Sequence, residues 1–440
     1  MNLSERDRRI LALAIPALGG LAVEPLYVLV DTAIVGRLGT VPLGGLALAA
    51  TTLTSLLWVF NFLSYGTTAR VAFLTGRGDA RRAAGVASQA LWLAGLFGLP
   101  LAVGVFLLAR VFGTVLGGHG AVLNAAVTYL RISAIGMPAV LVALVGQGHL
   151  RGLSDTRTPF AVVAVANVLN VVLELLFVYV LHLGIAGSAW GTVIAQLLAA
   201  AWFLGLIGQR VGSTGVERRP RWREMRELVV IGRHLFVRTA ALLATLAVAT
   251  SVAARLGTAR LGGHQIALQI ETFLALAVDA LAIPGQALVG TLLGAGDVVE
   301  ARATGRRLLG WGLAVGGVLA VAVVALSGVL PHVFSGDARV VHNATVALVF
   351  VGAMQVPASA AFVLDGSLMG ASDFRFLQLA TVGAGLVFVP FAVTVLRWHS
   401  WGIVGIWTGL LVWITVRATA NAVRFAGHRW TSVAVGGVTG

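Results

Sequence analysis

The chain of 440 residues alternates between long apolar stretches and short polar clusters. Each stretch holds about 20 mainly apolar residues, the length that an α-helix needs to cross the hydrocarbon core of a bilayer. The clusters between them are rich in Gly, Pro, Asp and Arg, which interrupt regular structure. The pattern predicts an all-α, polytopic membrane protein with twelve transmembrane helices. Their expected centres are residues 24, 58, 100, 138, 170, 196, 243, 276, 318, 355, 386 and 412.

An internal repeat runs through this pattern at a constant spacing of 218 residues, the distance from Leu38 to Leu256. Chance similarity between apolar helices would not preserve one spacing, without a gap, over three separated pairs of motifs. The pairs are LGTVPLGG from Leu38 with LGTARLGG from Leu256, GHLRGLSDTR at 148–157 with GSLMGASDFR at 366–375, and LGIAGSAWG from Leu183 with WGIVGIWTG from Trp401.

The repeat predicts two six-helix lobes, an N-terminal one at 1–218 and a C-terminal one at 219–440. Because six is an even number, both lobes enter the membrane in the same direction. Parallel repeats of this kind are related by an axis along the membrane normal, and secondary transporters are a leading use of them. We therefore expect the halves to superpose and to enclose a cavity that opens to either side.

Composition and charge agree with a lipid-embedded chain. Charged residues make up 11% of the sequence, against about 25% in soluble domains. The absence of cysteine excludes disulfides and thiolate metal sites. The net charge is +14, but the arginines lie in alternate loops rather than on a soluble domain, so we do not expect nucleic acid as a partner.

The distribution of arginine predicts the orientation. By the positive-inside rule, the loops richer in arginine face the cytoplasm, and so do both termini. The N-terminal MNLSERDRRI then reads as a cytoplasmic tail rather than a signal peptide. The cytoplasmic set comprises Arg70, Arg77, Arg81, Arg82, Arg151, Arg157, Arg218, Arg219, Arg221, Arg223, Arg302, Arg306, Arg307 and Arg375, and the opposite set comprises Arg37, Arg110, Arg255, Arg260, Arg339 and Arg397.

Four motifs resemble those of one transporter family. They are VDTAIVGRLG, TGRGDARRA, GHLRGLSDTRTP and VLDGSLMGASD. Together they are similar to the multidrug and toxic compound extrusion (MATE) transporters, and the last is most similar to the DNA-damage-inducible-type (DinF-like) branch. The resemblance implies twelve helices in two bundles, with export of organic compounds, often cations, in antiport with H+ or Na+. We also expect no cofactor beyond the coupling ion, a monomer in the bilayer of the cell membrane, and no enzymatic activity.

Two other functions remain as alternatives. A flippase for a lipid-linked saccharide, from the same broad superfamily, would favour a cavity rich in Arg and Lys, whereas the buried charges here are mostly acidic. A membrane-embedded enzyme would need a motif such as HExxH or an Asp-rich diphosphate box, and the sequence contains neither. The sequence also lacks the GxxxxGK[ST] loop of a nucleotide-driven pump.

Two acids occur in the first predicted span. Glu24 and Asp31 are seven residues apart, two helical turns, and therefore share one face. Pro16 and Pro25 favour kinks in this helix. Asp31 could be the structural partner of a buried arginine, but intramembrane acids more often relay ions, so we predict that it binds a proton or a cation. Glu24 could take part in that site or only line the cavity.

The fifth span adds an aligned set of polar residues. Asn167, Asn170 and Glu174 fall on one face of ANVLNVVLELLFVY. By resemblance to the family, Asn170 and Glu174 match its cation-site pair, with Glu in place of the usual Asp. Thr192 and Tyr129 match a hydroxyl and a phenol of the same network, although each could be an ordinary polar residue between helices.

The second half does not repeat this acid pair, because alanines stand at the matching positions. The eighth span instead holds Glu271 and Asp279, which could line a path for organic cations. The seventh span holds Arg238, and the tenth holds Asp365 near its cytoplasmic end. We expect Arg238 to pair with one of these acids in a structural role. No cluster of histidines has metal-site spacing, so we expect no bound metal other than a possible Na+ at the coupling site.

Overall fold

The computed structural model describes residues 4–216 and 219–436, and these residues form helices without any strand. Twelve segments are long and apolar enough to cross a membrane. The predicted all-α class with twelve spans is confirmed, and the chain is a multi-pass membrane protein. The spans are α1 Glu5–Gly36, α2 Thr40–Gly76, α3 Ala80–Val115, α4 Gly120–Gly152, α5 Arg157–Val180, α6 Ile185–Thr214, α7 Trp222–Arg255, α8 Thr258–Gly294, α9 Val298–Leu326, α10 Ala338–Gly370, α11 Phe374–Arg397 and α12 His399–Ala426.

Three spans depart locally from the α-helix. A 3-10 turn at Val59–Asn61 interrupts α2, and another at His399–Trp401 opens α12. The last turn of α5 is a π-helix at Leu176–Val180. Two short helices, Leu330–Phe334 and Arg429–Gly436, lie outside the spans.

The helices form two compact units. One contains Ile15–Gly232, and the other runs from Arg233 onward and includes the first residues of the chain up to Ala14. These boundaries fall within α1 and α7. The predicted lobes, 1–218 and 219–440, therefore stay a prediction about the sequence repeat.

Each unit is organised around one central helix. In the Ile15–Gly232 unit, α4 contacts α2, α3 and α6. In the other unit, α10 contacts α8, α9 and α12. Both central helices are the fourth span of their half, and each packs through many small residues, which let membrane helices approach closely.

The closest helix approaches recur at the spacing of the sequence repeat. A Cβ added to Gly45 on α2 would lie 2.6 Å from the Cβ of Ala125 on α4. A Cβ added to Gly263 on α8 would lie 2.6 Å from the Cβ of Asn343 on α10. Both members of the second pair follow those of the first by 218 residues, so the same backbone approach is built twice.

The repeated SD motif also builds the same turn twice. Ser154 lies in the turn after α4 with φ 59°, and Ser372 lies in the turn after α10 with φ 60°. Left-handed backbone is uncommon for residues other than glycine, so its occurrence at matching serines is a specific similarity. The motifs that first revealed the repeat are therefore the turns that close the two central helices.

Candidate functional site

Asp31 lies on α1 in a buried position, with a relative exposure of 5%. Its Oδ1 accepts a hydrogen bond of 2.7 Å from Oγ of Ser188 on α6. The ion pairs of the described residues do not include Asp31. The structural alternative considered for this acid, a pairing with a buried arginine, is therefore not what the structure shows.

The two polar residues predicted on α5 lie next to this acid. Glu174 is fully buried and Asn170 is 3% exposed. The carboxylate of Glu174 lies beside Asp31 and Ser188. Within the described part of the chain, neither of its oxygens has a hydrogen-bond partner, and the Oδ1 of Asn170 has none either. Three oxygens therefore remain unsatisfied in one buried place, although buried polar atoms are usually paired.

Hydroxyl groups complete the cluster. Thr192 on α6 accepts a hydrogen bond of 3.4 Å from Nδ2 of Asn170, and its hydroxyl lies 2.9 Å from that of Tyr27 on α1. Tyr129, which is buried on α4, lies beside Thr192 and Ser188. Four helices thus bring Asp31 together with the polar residues predicted on α4, α5 and α6.

Local backbone features position these groups. Gly191 on α6 lets that helix approach α5: a Cβ at this position would lie 3.1 Å from the backbone nitrogen of Glu174 and 3.3 Å from Oδ1 of Asn170. The π-helical turn of α5 begins two residues after Glu174. Within it, Tyr179 donates a 3.0 Å hydrogen bond to the carbonyl of Ile34, which links α5 to α1. Such π turns are frequent at functional sites.

The charges of this cluster are unbalanced. Asp31 and Glu174 are neighbouring acids, and no basic side chain is paired with either among the described residues. Two negative charges in a buried position repel each other and lose their hydration. A bound proton or a small hard cation such as Na+ would relieve both effects, and carboxylate, amide and hydroxyl oxygens suit such an ion. The oxygen atoms of this cluster therefore have the chemistry that suits a proton or a small hard cation.

Glu24 does not join this cluster. It is exposed, and it makes no hydrogen bond with the other described residues. Glu24 shares a helical face with Asp31, but the environment changes within the two turns that separate them. Asn167 likewise stays apart, since its Nδ2 donates to the carbonyl of Val163 on its own helix at 2.8 Å.

The other unit contains a separate buried charge cluster around Asp365 on α10. Arg238 on α7 and Arg417 on α12 both donate to Oδ2 of Asp365. Nδ2 of Asn421 donates to its Oδ1 at 2.7 Å. The pairing expected for Arg238 is therefore present. Sequence reasoning missed Arg417 and Asn421, although two polar residues at i and i+4 in an apolar span were an available signal.

The acids predicted on α8 lie in different surroundings. Oε2 of Glu271 accepts a 2.6 Å hydrogen bond from Nε2 of Gln355 on α10. Asp279 lies within electrostatic range of Arg417. Both acids are partly buried. The described residues contain no group of three or more His, Cys, Asp and Glu side chains that could hold a metal ion.

Sequence reasoning also missed Ser188 and Tyr27 at the Asp31 cluster. Serine is common wherever membrane helices touch, so Ser188 carried no distinctive signal. Tyr27 had a weak one, because it stands four residues before Asp31 and therefore on the same side of α1.

Comparisons with known proteins agree with this architecture. The MatE family model matches residues 16–176 and 236–394, once in each half and together over more than half of the chain. The chain is 33% identical over 429 residues to "Protein DETOXIFICATION 44, chloroplastic" of Arabidopsis thaliana, covering 94% of this chain and 81% of that protein. It is 29% identical over 445 residues to "DNA damage-inducible protein F" of Escherichia coli strain K12, covering 97% and 93%.

Solved structures show the same fold. A crystal structure of a MATE protein in the bent conformation superposes with a TM-score of 0.90 over 99% of this chain and 98% of that chain, at 19% sequence identity. The family and these relatives are transporters rather than enzymes, and the resemblance expected from the motifs is confirmed. The chain belongs to the MatE family of multidrug efflux transporters.

Proposed function

We propose that this chain exports small organic compounds, often cations, across the cell membrane in antiport with H+ or Na+. The observation that supports the proposal is the buried pair of acids, Asp31 and Glu174, which has no basic partner among the described residues. An isolated acid in a membrane span is costly, and such residues commonly serve ion pathways. A buried pair of acids without a basic partner in the described part of the chain is most readily explained if an ion binds there.

Asp31 is the main coupling carboxylate in this proposal. When the pair holds a proton or Na+, its repulsion is relieved and the cluster can pack without water. When the ion leaves, the carboxylates need water or donors such as Ser188 and Tyr27, and a wetter arrangement is favoured. Asp31 sits on α1, whose Pro16 and Pro25 make bending easier. Ion binding would thus shift the population of α1 shapes.

The substrate path in this proposal includes the partly buried acids Glu271 and Asp279. Their negative charge would raise the local concentration of organic cations. Arg238 would act as a structural residue beside this path, since Asp365 already holds it. The further expectations are that both termini lie in the cytoplasm, that the transporter is a monomer, and that it needs no cofactor besides the coupling ion.

Transport by purified protein in liposomes tests the proposal. The liposomes are loaded with a fluorescent organic cation, and a proton gradient or a sodium gradient is imposed alone. The effect of each ion on transport is thus measured separately. The wild type should move the dye under at least one gradient. Asp31→Asn, which keeps the shape but fixes a neutral side chain, should fold and lose gradient-driven transport. Asp337→Asn, at an exposed helix cap, is the control and should transport normally. Full antiport by Asp31→Asn would overturn the role given to this acid.

A further inference from the structure

A groove lies between α3 and α6 in the Ile15–Gly232 unit. It has a volume of about 340 Å³, and its walls are mainly apolar, with Trp92 on α3 and Ile207, Gly208 and Val211 on α6. Ser88 contributes one hydroxyl. Volumes of a few hundred Å3 are typical of ligand sites. Because both helices are membrane spans, the groove runs through the part of the molecule that lipid surrounds.

One end of the groove approaches a loop region rich in arginine. Gly85 on α3 faces Val216, which follows α6: a Cβ there would lie 3.8 Å from a methyl carbon of Val216. The side chain of Gln89 holds the next part of the chain, with Nε2 donating to the carbonyl of Arg219 at 3.0 Å and Oε1 accepting from the backbone of Arg221 at 2.8 Å. Val216, Arg219 and Arg221, from the segment between α6 and α7, therefore lie along α3 close to Ser88.

Three arginines around this end are exposed and unpaired among the described residues. Arg81 lies one turn before Gly85, Arg210 is adjacent to Val211, and Arg223 follows the segment that Gln89 holds. Their neighbours Arg82 and Arg221 are instead paired with Asp79 and Glu224. Trp222 immediately precedes Arg223 and is 65% exposed, and exposed tryptophan is typical of the membrane–water interface.

The geometry points to a binding site for an anionic phospholipid of the cytoplasmic leaflet, with an acyl chain in the α3–α6 groove and the phosphate at Arg81, Arg210 and Arg223. The apolar walls suit the chain, and the unpaired guanidinium groups suit a phosphate, which they can bind through two hydrogen bonds at once. Arginine-rich loops face the cytoplasm, where anionic lipids are concentrated. The site lies apart from the Asp31 cluster and does not depend on the ion that drives transport.

Binding of two lipids with the same chains tests this site. Native mass spectrometry of the detergent-solubilised protein would measure the affinity for dioleoyl phosphatidylglycerol and for dioleoyl phosphatidylcholine. The wild type should prefer the anionic lipid. Arg81→Gln combined with Arg210→Gln should weaken phosphatidylglycerol binding about 25-fold, since each arginine near a membrane surface contributes about a fivefold effect. Arg37→Gln combined with Arg255→Gln, both exposed and in the opposite set of loops, should leave it unchanged.

A second pair of variants tests the groove itself. Gly208→Leu would fill it, and Gly205→Leu on the same helix would not, while a Cβ meets open space at both positions. Only Gly208→Leu should lower binding. Equal binding of the two lipids by the wild type, unchanged binding by the double arginine variant, or unchanged binding by Gly208→Leu would each overturn the proposal. An equal loss in Gly208→Leu and Gly205→Leu would also overturn it, because lipid would then bind elsewhere on α6.

Discussion

At the scale of single residues, Glu174 and Asp365 are both buried acids, but their surroundings are opposite. Glu174 has a second acid beside it, and its carboxylate has no hydrogen-bond partner among the residues that the structure describes. Asp365 accepts from two arginines and an asparagine. Burying an unpaired charge is costly, whereas removing one partner from a buried pair leaves a costly charge behind. Neutral substitutions at the two acids should therefore have opposite effects on stability.

Glu174→Gln should keep or raise the stability of the protein while abolishing ion-driven transport. The substitution removes one of two repelling charges and adds an amide that can donate to Asp31, a hydrogen bond of about 1 kcal/mol. Thermal unfolding in detergent and dye transport in liposomes would be measured on the same preparation. Glu224→Gln at the exposed pair with Arg221 is the control and should change neither. A lower melting temperature together with normal transport would contradict the role given to Glu174.

Asp365→Asn should destabilise the protein by about 3–5 kcal/mol, because it removes the carboxylate to which the buried Arg238 and Arg417 both donate. Thermal or denaturant unfolding measures this loss. Asp337→Asn, which alters a capping residue at the exposed start of α10, should cost no more than about 1 kcal/mol. Equal losses in the two variants would show that the Asp365 cluster is not a structural pairing.

Sequence reasoning found the acids of these clusters because a charged residue in an apolar span is conspicuous. It did not find their hydroxyl and amide partners Ser188 and Asn421, since serine and asparagine occur at many contacts between membrane helices. It also could not predict that Asp31 is buried whereas Glu24 on the same helical face is exposed. Helical periodicity fixes the face of a residue, whereas its burial depends on which neighbours cover that face along its length.

At the scale of helices, glycine sets the distances between the central helices and their neighbours. The two central helices, α4 and α10, are crossed at Gly148 and Gly366, where an added Cβ would collide with the carbonyl oxygens of Ser64 and Ala282. Backbone atoms cannot move aside as a flexible side chain can. The tight crossings are therefore fixed points in the packing of both units.

Gly148→Ala and Gly366→Ala should each destabilise the protein, by about 1–3 kcal/mol, through overpacking at these crossings. The similar effect follows from the repeat, since the two glycines are equivalent positions. Gly383→Ala on α11, where a Cβ meets open space, should be neutral or slightly stabilising, because alanine favours the helix. Unfolding of the three variants in detergent would be compared. A loss at only one of the two crossings would show that the units pack differently there.

At the scale of the whole molecule, the two halves share local backbone geometry, but they do not share the same buried acids. The turns at Ser154 and Ser372 match, yet the acids of α1 and α5 have no counterparts in the second half. The twelve spans and the repeat could be predicted because both depend on patterns many residues long. The boundaries of the two compact units could not be predicted from the sequence. They fall inside α1 and α7, and they depend on packing contacts that an apolar sequence does not reveal.

The start of α1 is held by the unit that begins at Arg233. Asp7 accepts hydrogen bonds from Arg307 at 2.6 and 2.8 Å and from Trp311 at 2.8 Å. Ile10 and Ala14 pack with Leu308 and its neighbours. The remainder of α1 belongs to the other unit. One continuous helix is therefore shared between the two units.

This sharing means that a chain cut between residues 216 and 219 should yield two polypeptides that associate. The start of α1, from Glu5 to Ala14, is here called the arm; it belongs to the first polypeptide but packs with the second. The first piece carries the residues that fill the second piece's core, so the pieces should co-purify when expressed together. Asp7→Ala in the first piece should weaken that recovery, and Asp79→Ala, at a cap within the same piece, should not. Equal recovery with both would show that the arm contributes nothing. The expected result would instead show that the start of α1, besides forming part of a membrane span, holds the two polypeptides together.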